Sequence, residues 1–138
     1  MSVKYHVIER VDPRDPTLPR KFYAKIKNGD DVKFNDLVEL ISQFSTVNYG
    51  DIHGVIQTLL QVIPHQLKYG RQIHLGDLGS FYLTIKSEGK PREDEFLNTD
   101  IQNARIRFRP GATFKKMLKT LDFEKVGSIS GNASPPGN

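Results

Sequence analysis

Three arginines at alternating positions, Arg105, Arg107 and Arg109, are the residues whose type and spacing most clearly indicate a chemistry. Side chains at alternate positions of a β-strand project from one face, so an extended segment here presents three guanidinium groups together. The segment 101–121 contains no acidic residue, and three lysines follow the arginines in it: Lys115, Lys116 and Lys119. This run has the charge and spacing to contact the phosphates of a nucleic-acid duplex. A solvated surface without a ligand is the alternative interpretation of such a run.

Catalysis and metal binding have no comparable support in the sequence. The four histidines, at positions 6, 53, 65 and 74, lack the spacing of a metal-binding motif, and the chain has no cysteine. No serine lies in a G-x-S-x-G motif, and no nucleophile is paired with a base. We therefore predict that the protein is not an enzyme and uses no metal, cofactor or small-molecule substrate.

The stretch "RQIHLGDLGSF" contains two glycines, Gly76 and Gly79, which raise the question of a phosphate-binding loop. Glycine-rich loops cradle phosphates when they open a helix, whereas these glycines precede an extended segment. Asp77 lies between them and would repel a phosphate. We therefore interpret the two glycines as a turn, because glycine adopts the unusual backbone angles of a sharp corner at little cost.

Length and composition favour one domain with a small appendage. The chain has 138 residues, of which 37% are hydrophobic and 26% charged, with a net charge of +4. Residues 1–29 hold seven basic and three acidic residues, whereas residues 30–70 hold two basic and five acidic ones. No segment approaches the roughly 20 apolar residues that span a bilayer, and the first residues lack the apolar centre of a secretion signal. We expect a cytoplasmic protein with no membrane partner.

The first part of the chain predicts a β-hairpin. The segments 4–11 and 21–27 both alternate apolar and polar residues, which is typical of strands with one buried face. Three prolines in the loop between them exclude a helix. We predict an appended hairpin at 1–29.

The rest of the chain predicts an α+β domain. Residues 34–44 and about 51–69 carry apolar side chains at helical spacing, and Gly70 is suited to end the second helix. Asn48 stands three residues before Asp51, where its side chain can cap the start of that helix. The later predicted elements are, in chain order, strands at 71–75 and 80–86 around the turn at 76–79, an exposed excursion at 87–104 and a strand at 105–110. A helix follows at 110–121, with Phe114, Leu118 and Leu121 on one face. We expect a short strand at 123–126 to pair with the hairpin, and a disordered tail at 127–138.

This order of elements resembles the bacterial histone-like HU/IHF family of DNA-bending proteins over about residues 32–121. Two motifs carry the resemblance: "GDLGSF" at 76–81 stands where the family has its glycine-containing turn, and "FRPG" at 108–111 stands before the final helix. The resemblance implies an intertwined homodimer in which two N-terminal helices, an antiparallel β-sheet with an extended β-arm and a C-terminal helix form the domain. With the appended hairpin, the chain resembles a divergent Bacteroidetes-type branch. We accordingly predict a hairpin extension at 1–29, an HU/IHF-like DNA-binding domain at 30–126 and the tail at 127–138.

The predicted arm departs from the family pattern. Family arms are strongly basic and carry an Arg-Asn-Pro tip whose proline inserts between bases, whereas Pro91 of this chain comes too early to be that tip. Residues 86–100 contain three basic and five acidic residues. Phe96 and Leu97 are the apolar residues nearest the expected tip, and the acids beside them argue against a wedge. Whether the arm bends DNA stays open.

The function that the resemblance implies is sequence-tolerant binding of double-stranded DNA by a histone-like, nucleoid-associated homodimer that contacts phosphates. The alternative is a protein-interaction or scaffold protein that keeps the fold and has weak or no DNA binding. RNA stays open as a ligand, because phosphate contacts do not distinguish the two sugars. The predicted DNA-binding residues are Lys86, Lys90, Arg92, Arg105, Arg107, Arg109, Lys115, Lys116 and Lys119.

Overall fold

A computed structural model describes residues 1–127 of the chain. Within these residues the chain forms two compact units, one made of Met1–Asp31 with the segment from Thr120 onwards, and one made of Val32–Lys119. The predicted disordered tail lies, apart from Gly127, outside the described residues. The elements are β1 (Val3–Arg10), β2 (Lys21–Ile26), α1 (Phe34–Gln43), α2 (Tyr49–Leu67), β3 (Ile73–His74), β4 (Gly79–Ser87), β5 (Ile101–Pro110), α3 (Ala112–Lys119) and β6 (Phe123–Lys125).

The first unit contains a three-stranded sheet with strand order β2-β1-β6. β1 and β2 form the predicted antiparallel hairpin, in which Tyr5 lies opposite Ile26 and Val7 opposite Ala24. β6 pairs with β1 in parallel, with Val3 beside Phe123, which confirms the predicted pairing of the short strand with the hairpin. One face of this sheet is apolar and carries a groove of about 410 Å³ lined by Val3, Tyr5, Ala24, Ile26 and Phe123.

The loop of the hairpin is held by local hydrogen bonds. The hydroxyl and the backbone N–H of Thr17 both donate to the Asp15 carboxylate, and these bonds hold the pKa of that carboxyl below its ordinary value. The backbone N–H of Arg14 donates to Asp12 in the same way. Such bonds between a short acidic side chain and the backbone two residues later are typical of turns.

The second unit begins with the two predicted helices, which pack against each other. The Asn48 side chain accepts a hydrogen bond of 3.0 Å from the backbone N–H of Asp51, so the predicted cap of α2 is confirmed. In this unit the buried apolar side chains form a small set, Val38, Ile52 and Leu67, of which only Val38 is fully buried. Most of the remaining apolar stripe of both helices stays accessible to solvent.

The sheet of the second unit has strand order β3-β4-β5, with antiparallel pairing throughout. The predicted turn between β3 and β4 is confirmed: Gly76 and Gly79 have φ angles of 57° and 144°. A Cβ atom on Gly79 would overlap the carbonyl oxygen of Arg109 and the ring of Phe108. Gly111 approaches the backbone of Asp77 equally closely, and its N–H donates to the carbonyl oxygen of Leu78. This turn therefore holds the end of β5 against the start of β4.

Several predicted boundaries differ in the structure, and two of the differences affect the site or its surroundings. The strands β4 and β5 extend further than predicted, so that the excursion shortens to a connection at 88–100, which we call the arm loop. The last helix ends at Lys119, so the prediction that Leu121 lies on its apolar face is wrong. The chain leaves the helix there because Asp122 accepts a hydrogen bond from the N–H of Val3 and β6 then pairs with β1. None of the helices formed by residues 1–127 combines the length and the apolar character needed to cross a bilayer.

Candidate nucleic-acid interface

The β4–β5 ladder places the three arginines on one face, as their alternation predicts. Arg105, Arg107 and Arg109 lie opposite Thr84, Tyr82 and Ser80, and all three are exposed. Lys86 lies on the same face, opposite Asn103. We call Lys86, Arg105, Arg107 and Arg109 the basic strand face. Successive arginine Cα atoms along such a strand are about 6.8 Å apart, so the three guanidinium groups cover a stripe of roughly 14 Å.

The opposite face of the same two strands is apolar. Phe81 lies opposite Phe108 and Leu83 opposite Ile106, and the two phenylalanine rings are 4.9 Å apart. The strict alternation thus separates cations from apolar side chains across the thickness of the sheet. The cations therefore lie on the side of the sheet that is not occupied by apolar contacts.

Neighbouring aromatic and polar groups support the arginines. The Arg109 guanidinium lies 5.0 Å from the centre of the Tyr82 ring, which is the geometry of a cation–π contact. The Ser80 hydroxyl is 2.8 Å from Nδ1 of His74, so a hydrogen bond ties β3 to this face. Among residues 1–127, no carboxylate oxygen lies within 4 Å of any of the three guanidinium groups. The arginines therefore carry uncompensated charge that a polyanion can neutralise.

The three predicted lysines of α3 are exposed but do not belong to this strand face. Phe114 of α3 packs edge-on against Phe108, with ring centres 5.9 Å apart, and Phe108 lies on the apolar side of the sheet. α3 thus packs on the apolar side at the end of the sheet, with Lys115, Lys116 and Lys119 exposed. The structure brings together four of the nine predicted residues on one face and places these three on an adjacent helix.

The two remaining predicted residues lie in the arm loop, where each has an acidic partner. Lys90 Nζ is 3.4 Å from a carboxylate oxygen of Asp100, whose side chain is only 12% exposed. Arg92 donates to both carboxylate oxygens of Asp94 at 3.1 and 3.2 Å. A phosphate must displace these carboxylates to reach either cation, so we expect both residues to contribute less than the arginines of β5.

Sequence reasoning did not assign Ser80, Tyr82, Thr84, Asn103 and His74 to the site. Alternation along a strand separates Tyr82 and Thr84 from Phe81 and Leu83, but only the register between β4 and β5 puts them beside particular arginines. Hydroxyl and amide side chains of this kind commonly donate hydrogen bonds to phosphate oxygens. Within residues 1–127 no cluster of three histidine or acidic side chains is suited to hold a metal ion.

Comparison with known proteins places this geometry in a family. No curated protein matches the sequence. The fold is similar to that of a Bacteroides vulgatus protein described as a candidate bacterial DNA-binding protein, with a TM-score of 0.66 and 9% identity. The match covers 94% of this chain and 50% of that chain, so this chain spans half the length of the solved protein. At this identity the likeness concerns the fold alone.

A family model gives the stronger match, because it extends over residues 1–125. Its description is an HU domain fused to a winged helix-turn-helix, immunoglobulin or glycine-rich motif. The match includes the hairpin and β6 as well as the helices and the arginine-bearing strand, so it reaches beyond the 32–121 core of the resemblance. The protein therefore belongs to this family of HU-like DNA-binding domains.

Proposed function

We propose that the protein is a sequence-tolerant, histone-like DNA-binding protein that acts as a homodimer in the bacterial nucleoid and holds duplex DNA through its phosphates. The observation that carries this proposal is the basic strand face, in which three exposed arginines and a lysine share one side of a sheet and the arginines have no acidic partner among residues 1–127. Phosphate contacts of this type position a protein on a duplex without reading its sequence. The exposed lysines of α3 add three further cations to the same unit.

The homodimer is supported by the apolar surface that one copy leaves uncovered. α2 carries two apolar stripes about a quarter turn apart. Ile52, Ile56, Ile63 and Leu67 are buried or half-buried, whereas Val55, Leu59 and Val62 are exposed, Val55 to 69%. On the apolar side of the sheet, Ile85 and Ile106 are 64% and 65% exposed. Isolated soluble domains rarely leave extended apolar patches in water, and a second copy offers a self-complementary cover.

One observation favours the alternative of a protein-interaction or scaffold protein. The arm loop contains five acidic residues, and two of them neutralise its only two cations. An arm of this charge is poorly suited to follow a phosphate backbone. The proposal therefore assigns DNA binding to the basic strand face and does not require the arm loop to contact DNA.

The salt dependence of binding to a random-sequence duplex tests the proposal. If each cation of the basic strand face neutralises one phosphate, log affinity falls against log salt with a slope of about −4 per chain, and of about −6 if the α3 lysines also engage. In the triple variant R105Q/R107Q/R109Q we expect a slope shallower by about 2.7, because three phosphate contacts are lost. Fluorescence anisotropy over a salt series measures both slopes.

The matched control is R14Q/K68Q/R71Q, which removes the same charge from exposed positions that do not belong to the basic strand face. We expect this control to keep nearly the full slope. Absence of duplex binding by the unmodified protein at low salt contradicts the proposal and favours the scaffold alternative. An equal loss in both triple variants shows that only net charge matters and overturns the assignment to the strand face.

A further inference from the structure

The hairpin of the first unit carries its own set of cations. Residues Lys21, Lys25 and Lys27 alternate along and just beyond β2, while Lys4 and Arg10 lie on β1. The ladder register puts Lys21 opposite Arg10 and Lys25 opposite His6. Beyond the last paired position of β2, the N–H of Lys27 donates to the carbonyl oxygen of Lys4 at 2.8 Å, so these two residues are also opposite each other.

Residues that lie directly opposite each other in an antiparallel pair project from the same face. The five cations therefore share one face of the sheet, which we call the hairpin basic face: Lys4, Arg10, Lys21, Lys25 and Lys27. Tyr23 lies among them, opposite Ile8. The apolar groove, by contrast, is lined by residues of the other face, such as Ala24 and Ile26.

This face has almost no internal compensation. All five cations are exposed, and within residues 1–127 none has a carboxylate oxygen within 4 Å. Glu124, beside Lys4 in the register, is an acid on this side of the sheet, and the hydroxyl of Ser2 donates to it at 2.9 Å. In two places, residues of like charge lie directly opposite each other in the ladder: Lys4 opposite Lys27, and Arg10 opposite Lys21. Like charges in this arrangement destabilise a sheet.

Protection of an edge strand is the ordinary reason for exposed lysines in a sheet, since charges there discourage pairing with other chains. It accounts for Lys21 and Lys25, because β2 is an edge strand. It does not account for Lys4, because β1 is the central strand of the sheet and at Lys4 it is paired with β2 on one side and with β6 on the other. A polyanionic ligand accounts for the whole set, because it offsets the repulsion within both like-charged pairs.

We propose that the hairpin basic face is a second phosphate-binding surface for duplex DNA, separate from the basic strand face. This inference rests on the proposed DNA binding and adds a site to it. Lys25 and Lys27 are about 6.8 Å apart along the strand, the same spacing as that of the arginines of β5, and Lys21 lies about 13.6 Å from Lys25 with Tyr23 between them. Tyr23 adds a hydroxyl and a ring among them, and tyrosine hydroxyls also bond to phosphate oxygens.

The experiment compares K21Q/K25Q/K27Q with the control R14Q/K68Q/R71Q, which has the same net charge, and with K21R/K25R/K27R, which keeps the charge of the face. The probe is the random-sequence duplex used for the salt series. We expect the glutamine variant to bind with a slope shallower by about 2 to 3 and, at 0.15 M salt, with an affinity lower by about one to two orders of magnitude. The control and the arginine variant keep the slope of the unmodified protein.

A second variant, K4Q/R10Q, tests the same face from β1 and covers the case in which the β2 variant does not fold. We expect its slope to be shallower by about 1.8. Circular dichroism and the unfolding midpoint establish that each variant is folded before binding is compared.

The outcomes separate the two proposals. If the unmodified protein binds DNA, and R105Q/R107Q/R109Q weakens binding while both hairpin variants match the control, the hairpin site is overturned and the strand-face proposal stands. If the unmodified protein binds no duplex at low salt, both fall. A reduced slope in the hairpin variants with unchanged behaviour of the control supports the second site.

Discussion

At the scale of single residues, Gly79 shows how much of the turn depends on one missing side chain. Its φ of 144° is unfavourable for a residue with a Cβ atom, and the space where that atom would lie is filled by the backbone of Arg109 and the ring of Phe108. The sequence indicates a turn here. Only the structure shows that the same glycine also lets β5 approach β4 at the end of the basic strand face.

We therefore expect Gly79→Ala to lower the free energy of unfolding by about 2 to 4 kcal/mol, because it combines backbone strain with an overlap against backbone atoms that cannot move aside. Gly89→Ala is the control, since nothing lies within 4 Å of its added methyl group and its φ is not in the left-handed region. Denaturant unfolding at fixed protein concentration measures both. An equal change in the two variants would show that the close approach at Gly79 is unimportant.

At the scale of elements, alternation along β5 predicts correctly that the three arginines share a face, since period two is a property of any strand. The pairing partners Ser80, Tyr82 and Thr84 are a property of the register, which depends on where the turn at 76–79 ends. The arm loop shows the same limit. Its acidic composition is evident in the sequence, whereas the specific pairs Lys90–Asp100 and Arg92–Asp94 depend on how the loop folds.

These two ion pairs predict a gain of DNA binding when their acids are neutralised. D94N/D100N frees Lys90 and Arg92 for phosphates, so we expect stronger duplex binding and a salt slope steeper by about 2. Asparagine keeps an acceptor for the Leu97 N–H that Asp100 now binds at 2.8 Å. Anisotropy titration over the salt series provides the measurement.

The control is E88Q/E95Q, which removes the same charge from acids that form no ion pair within residues 1–127. We expect a slope change below about 1 for this variant. Equal gains in both variants would indicate a general charge effect and contradict a role for the two pairs.

At the scale of the whole molecule, each compact unit has its own cationic sheet face and its own apolar face. The second unit fully buries few apolar side chains and leaves the stripe of Val55, Leu59 and Val62 in water. α2 carries two apolar stripes, and within one copy only one of them is covered by other parts of the unit. The homodimer proposal assigns the uncovered stripe to a second copy.

V55D/L59D tests this assignment. Burying two carboxylates in an apolar interface is costly, so we expect the dimer dissociation constant to rise at least about 100-fold, with a folded monomer remaining because both positions are exposed in one copy. Gln57→Asp, on the opposite side of the same helix, is the control that should leave the dimer intact. Sedimentation velocity distinguishes monomer from dimer, and a monomeric unmodified protein would contradict the proposal.

Local sequence patterns are sufficient to predict the properties that depend on neighbours along the chain. The hairpin, the helices, the cap at Asn48, the glycine turn and the common face of the arginines all follow from local periodicity and backbone preference, and the two motifs at 76–81 and 108–111 were enough to identify the family resemblance. Long-range contacts establish how segments far apart in the chain are arranged against each other. These contacts set the parallel register of β6 against β1, ended α3 before Leu121, neutralised the arm cations and gathered Lys4 and Arg10 with the lysines of β2 on one face. Those outcomes depend on strand register and on contacts between distant segments, which local sequence patterns do not encode.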